Sequence, residues 1–203
     1  MQMLRLYDYL PSGNGYKVRL LLTLLNIPFE RVELDILKDE TRTDVFLSKN
    51  PNGRIPTIEL DSGEILSESG AILYFFADAT PFFPEHALDR AHVLQWMFFE
   101  QYNHEPNIAV ARHWIQHLGL DDNRQRALPE RHKGGYAALA VMEKHLATHN
   151  YFAANRPTIA DIALYAYTHV ADEGGFELDR FPAIQSWLAR IAGLPGYIPI
   201  TKS

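Results

Sequence analysis

The chain has 203 residues, 47% of them hydrophobic and 22% charged, and a formal net charge of -6. That is enough for one large domain or two small ones, and the acidic balance argues against nucleic acid or an anionic membrane as the main partner. With no cysteine, disulfides, thiolate zinc ligands and a cysteine nucleophile of the protein's own are all excluded.

"LRLYDYL" (4–10) reads as a strand, and "PSGNG" (11–15) as a polar, glycine-broken turn. Val18, Leu21, Leu22 and Leu25 follow at i, i+3, i+4 and i+7, which predicts a helix over 14–26 with one apolar face. Pro28 disfavours helical geometry at Ile27 and ends it. "FERVEL" (29–34) alternates apolar and charged residues, the pattern of a half-buried strand. Residues 35–50 are polar and irregular, with a short helix expected near 40–48. "RIPTIELDSGEIL" (54–66) reads as a hairpin turning at Asp-Ser-Gly, and 67–80 as a helix entered through serine and glutamate. The order β-α-β, loop, β-β-α predicts a compact α/β domain over residues 1–80.

"TPFFPEH" (80–86) carries two prolines without helical periodicity, so 81–86 is expected to be a linker. The remainder, 87–203, reads as an all-α bundle with helices over 88–118, 124–149, 158–171 and 181–193. No apolar run approaches the roughly 18–20 residues of a membrane span. The opening "MQMLRLYDYL" lacks the basic and apolar regions of a signal peptide, so a cytoplasmic location is expected.

Three stretches could carry chemistry. In "NGRIPTIEL", Pro56 cannot donate to a ladder, so it marks a strand edge or a cis Ile55–Pro56 bond that turns the Ile55 backbone toward an extended ligand. In "SESGAI", Glu68 and Ser69 stand at a helix start, where free N–H groups favour an anion, although Ser67 or Ser69 could simply cap the helix. In the opening turn, Ser12, Gly13, Asn14 and Gly15 precede a helix, but neither the Walker pattern nor the hydrolase elbow is present. Together these suit a small molecule with a carboxylate and amide groups. Thr158 and Asp161 have the spacing of a capping box, with Asp in place of the preferred Glu or Gln. The pairs His113/His117 and His145/His149 lack the intervening glutamate of a zinc site, so no metal is expected. Trp96, Phe98, Phe99 and Tyr102 read mostly as core; His104 and Arg112 share that segment.

Taken in order, "NGRIPTIEL", "ESGAI" and "RPTIADI" give the whole chain a resemblance to the cytosolic glutathione transferases. The resemblance implies a thioredoxin-like first domain, a two-proline linker and an all-helical second domain. It implies that Ile55, beside Pro56, pairs with the cysteinyl backbone of glutathione, and that Ser69 and its helix N-terminus hold the γ-glutamyl carboxylate. Glu68 would face the ammonium group and Arg54 the peptide. "SGNGYKVRLLL" is most similar to the serine-type turn of the theta, zeta and some bacterial classes, which makes Ser12 the donor to the thiolate. "SGN" departs from the zeta "SSC" pattern, and Asn14 stands as substitute or partner. Tyr7 and Tyr9 lie where tyrosine-type enzymes place theirs, in a poorer register. Tyr9, His104 and Arg112 are the candidates for an electrophile pocket between the domains. The family implies conjugation of glutathione to hydrophobic electrophiles and a homodimer. Glutathione-dependent isomerisation or dehalogenation, or a non-catalytic binding module, are the alternatives.

Overall fold

The computed structural model describes residues 3–202. The chain divides into two compact units, Met1–Asp78 with Pro195–Ser203, and Ala79–Leu194. In the first, β1 (Arg5–Asp8), α1 (Gly13–Leu24), β2 (Glu30–Glu33) and a short α2 (Asp44–Leu47) precede β3 (Thr57–Glu59), β4 (Ile65–Ser67) and α3 (Ser69–Ala77). The sheet order is β2-β1-β3-β4, with β1 parallel to β2 and antiparallel to β3. One row of the register runs Val32–Tyr7–Thr57–Ser67 across all four strands.

Leu6, Val18, Leu22, Ile58 and Ile72 form the core of this unit, each exposed by 1% or less. Burial of each side chain contributes about 1.5–3 kcal/mol before entropy is counted. α1 ends at Leu24, two residues short of the expected 26: Asn26 takes a left-handed φ of 54°, and Ile27 N–H reaches back to the Leu22 carbonyl at 2.8 Å. That is a Schellman ending, closed off by Pro28. The helix is not one-faced, however. Tyr16, Lys17, Arg19 and Leu20 are buried along with the expected apolar residues. Part of the cover comes from the last residues of the chain, since Tyr16 Oη donates to the Ile198 carbonyl at 2.7 Å. The segment 195–203, expected with the helical domain, therefore belongs to the first unit.

The second unit contains α4 (Ala87–Phe99), α5 (Glu105–His113), α6 (Asp122–Leu146), α7 (Ile159–Thr168) and α8 (Pro182–Ala192). The expected long helix over 88–118 is interrupted by π-helical turns at Glu100–His104 and Trp114–Leu118. Pro106, just after the first, has no N–H to give to the carbonyl four residues back, so the regular ladder cannot run through it. Residues 81–86 are no free linker: Phe83 is 3% exposed, and the Phe82 carbonyl accepts from Ile159 N–H at 3.0 Å. Among the four aromatics expected mostly in the core, Trp96 is buried, while Phe98 and Tyr102 are 69% and 86% exposed.

The capping box forms as expected, with Thr158 at the cap of α7 and Asp161 returning to its backbone N–H at 2.9 Å. Asp161 also accepts from Trp187 Nε1 at 2.9 Å and from Phe152 N–H, tying α8 and the preceding loop to α7. Among the described residues, no helix is long and apolar enough to cross a membrane, and no group of three or more His, Asp or Glu is arranged to hold a metal ion.

Candidate functional site

The register of the sheet brings the sequence-predicted residues of the first unit to one end of it. β1 runs toward Asp8 and leads into the turn before α1. Tyr7, near that end, pairs with Thr57, the first ladder residue of β3, and Thr57 pairs with Ser67, the last residue of β4. The turn holding Ser12, the Arg54–Ile55–Pro56 loop and the start of α3 thus share the edge formed by Tyr7, Thr57 and Ser67.

Ser12 is the N-cap of α1, its Oγ accepting from Gly15 N–H at 3.2 Å. A hydroxyl that accepts through a lone pair keeps its proton for donation elsewhere. The first turn of α1 carries no acidic residue of its own; the nearby carboxylate of Asp8 packs against Gly15 and is paired with Arg19. Asn14 Oδ1 lies 2.8 Å from Lys17 Nζ and 3.5 Å from Ser69 Oγ. Asn14 therefore connects the starts of α1 and α3, although the Ser69 contact is at the weak limit of hydrogen bonding.

The Ile55–Pro56 peptide is cis, which decides between the two sequence readings of Pro56. Asn50 holds the loop in place: its Nδ2 donates to the Arg54 carbonyl at 2.8 Å and to Thr57 Oγ1 at 3.0 Å. Arg54 itself is exposed. At α3 the serine-cap expectation is corrected. The cap position belongs to Glu68, which makes no side-chain cap bond, and Ser69 is the first helical residue. Glu68 sits at φ 69° with its side chain exposed. A non-glycine residue in that region costs on the order of 1–3 kcal/mol, and strain of this kind clusters at ligand clamps and active sites.

The remaining candidates are placed as follows. Tyr9 follows β1 and is half-buried, its phenol pushed above its ordinary pKa first by burial and then by Asp35. Tyr7 is a core residue whose Oη donates to Glu59 at 2.6 Å. His104 is fully buried in the helical unit with Nε2 2.9 Å from Thr168 Oγ1, and Arg112 pairs with Glu173 at 2.7 Å. Both are thus engaged inside that unit.

The profile of the Glutathione S-transferase N-terminal domain matches residues 2–78, and that of the C-terminal domain matches residues 90–195. The chain belongs to the glutathione S-transferase family. A crystal structure of glutathione S-transferase from Pseudomonas fluorescens superposes with a TM-score of 0.96 at 50% identity, covering 98% of this chain and all of that one. A protein of Rhizobium meliloti named maleylacetoacetate isomerase is 30% identical over 95% of this chain and 92% of its own length. The disulfide-bond oxidoreductase YfcG of Escherichia coli is 29% identical over 95% of this chain and 92% of its own.

Within this transferase-family chain, sequence reasoning passed over Lys17, Asn50 and the buried pair Asp8–Arg19. Two cations inside the apolar run "KVRLLL" were the available signal for Lys17 and Arg19. A charge there is either on a solvated face or buried with a purpose. Both are buried, at 1% and 0% exposure.

Proposed function

We propose that this protein binds glutathione at the Ser12–Ile55–Ser69 end of its first unit and transfers the thiolate to an electrophilic carbon. The observation that carries this reading is the convergence on one sheet edge of a hydroxyl-capped helix start, the Ile55 backbone and the start of α3. Ile55 would pair with the cysteinyl backbone, Ser69 and the α3 N–H groups would hold the γ-glutamyl carboxylate, and Glu68 would face the ammonium. Arg54 would contact the peptide.

A free thiol ionises near pH 8.5, and lowering that by two units takes roughly 2.7 kcal/mol of preference for the charged form. The Ser12 hydroxyl, the Asn14 amide and the positive end of α1 supply that preference. In conjugation the sulfur forms a bond to carbon, and a leaving group departs with its electron pair or, at an activated alkene, the neighbouring carbon takes a proton. Glutathione thus supplies the thiol that a cysteine-free chain lacks.

Likeness to the maleylacetoacetate isomerase favours a second reading on the same site. There the thiolate adds to a cis double bond, the resulting single bond rotates, and elimination returns glutathione unconsumed. We further propose a cytoplasmic homodimer.

The test is retention on glutathione-agarose, appearance of thiolate ultraviolet absorbance on adding glutathione, and turnover of a panel of aryl halides, haloalkanes, cis-enediones and disulfides. Glutathione loss matched to product indicates conjugation or dehalogenation, and turnover without loss indicates isomerisation. Oxidised glutathione formed from a disulfide indicates exchange of the YfcG kind. Absence of both retention and thiolate absorbance would sink the reading.

A further inference from the structure

We infer that Lys17 is a positioning residue that sets the orientation of the Asn14 amide for the bound sulfur; this rests on the glutathione reading above. Lys17 is 1% exposed, in the second turn of α1, and its Nζ reaches back 2.8 Å to Asn14 Oδ1 in the first turn. Two features make this placement unlike a surface lysine's. An ammonium loses its hydration on burial, and the start of a helix repels a cation through the same dipole that favours an anion.

The effect on Asn14 is directional. An amide has one accepting and one donating end. Oδ1 is engaged by Lys17 Nζ and, more weakly, by Ser69 Oγ, so the other side of the amide presents Nδ2–H groups. A donor aimed at sulfur favours thiolate, whereas a carbonyl oxygen there opposes it. Turning the amide over would put its NH2 against the buried ammonium, donor against donor. Lys17 thereby forbids the wrong orientation, and it acts through Asn14 rather than by touching the sulfur.

The experiment measures the pKa of the enzyme-bound glutathione thiol by thiolate absorbance, with kcat, KM for glutathione and melting temperature, in wild type, Lys17→Met, Lys17→Arg, Asn14→Ala and the Lys17→Met/Asn14→Ala double variant. Lys17→Met is expected to raise the bound thiol's pKa by about one unit and lower kcat several-fold. KM should stay within about twofold and the melting temperature should not fall. Lys17→Arg, which keeps a charged donor, should remain within about threefold of wild type. In the Asn14→Ala background, Lys17→Met should have no further effect on the thiol. A bound-thiol pKa unchanged in Lys17→Met, or an equal rise in both backgrounds, overturns the inference. If Lys17→Met does not fold, Lys17→Gln takes its place in both backgrounds with the same two overturning results. A wild-type protein that leaves the glutathione thiol at its solution pKa overturns the parent reading and this inference with it. A depressed wild-type value indifferent to Lys17 overturns this inference alone.

Discussion

The Asp8 carboxylate lies 2.8 Å from Nε of Arg19, and neither side chain reaches solvent. Arg19 spends its other nitrogens on the chain's end and on the site: Nη1 donates to the Ile200 and Lys202 carbonyls and Nη2 to the Leu10 carbonyl. One buried guanidinium thus joins β1, the turn before Ser12 and the last residues of the chain.

Removing Arg19 strands a buried carboxylate and three carbonyls. Arg19→Met is expected to cost about 3–5 kcal/mol at neutral pH, read from urea unfolding. Burial pushes Asp8 up to about 6, against the pull of Arg19. The folded chain therefore holds this proton between about pH 4 and 6, where the unfolded chain has released it. The contribution of Asp8 to stability is fully present below about pH 4 and declines as pH rises through 6. Without Arg19 the decline steepens, so the deficit of Arg19→Met should be smaller at pH 4.5 than at pH 7.5. An equal deficit at both would mean that the pair is not what Arg19 supports.

Gly15 is dictated by the same pair. A Cβ on Gly15 would stand 1.5 Å from Asp8 Oδ1 and 2.5 Å from its Cγ. Asp8 is short and held by Arg19, so it cannot swing aside. Gly15→Ala is expected to cost about 3 kcal/mol, the upper end for overpacking. A melting temperature within a degree of wild type would show that β1 and α1 separate more easily than their contact implies.

Local pattern made the element order legible, since strand alternation, the stop before Pro28 and the box at Thr158 and Asp161 are all settled within a few residues. The candidate site was legible as three separate motifs for the same reason. The supporting residues were not, because their partners lie far along the chain: Arg19 meets Ile200 and Tyr16 meets Ile198. The apolar spacing of α1 showed one face, while the cover on its other side comes from residues with no periodic signal. Glu68 misled differently. Two neighbouring serines advertised a cap, and nothing in a glutamate announces a left-handed backbone. Phe98 and Tyr102 read as core because aromatic character reports hydrophobicity without saying on which side of a helix it faces.

Asp161 gathers the second unit. Asp161→Ala leaves Phe152 N–H, Thr158 N–H and Trp187 Nε1–H without their acceptor, each buried orphan costing about 1–3 kcal/mol. A loss of about 4 kcal/mol is expected, against about 1–2 for Thr158→Ala, which removes the cap bond from Ala160 N–H and the hydroxyl's own bond to Asp161. Equal losses in chemical denaturation would show that the hydroxyl, not the carboxylate, carries the box.

Asn50 holds the cis-proline loop by two bonds from one Nδ2. Asn50→Ala is expected to raise KM for glutathione at least fivefold with kcat changed less, because the loop is proposed to bind the peptide backbone and not the sulfur. A fall in kcat at constant KM would place the loop in the chemistry instead.

Ser12 has two proposed duties, capping α1 and donating to sulfur, and two substitutions separate them. Ser12→Ala removes the acceptor for Gly15 N–H and the donor together, costing about 1 kcal/mol of stability. Ser12→Asp keeps an acceptor at the cap, and a carboxylate at the positive end of the helix holds or raises stability. It offers no proton at neutral pH, and it sets a negative charge beside the thiolate. Both variants are expected to raise the bound thiol's pKa by a unit or more and to lower kcat/KM at least tenfold, with Ser12→Asp the worse enzyme and the more stable protein. If the aspartate variant keeps the thiol pKa of wild type, the hydroxyl does no more than cap the helix, and the donor to sulfur is Asn14.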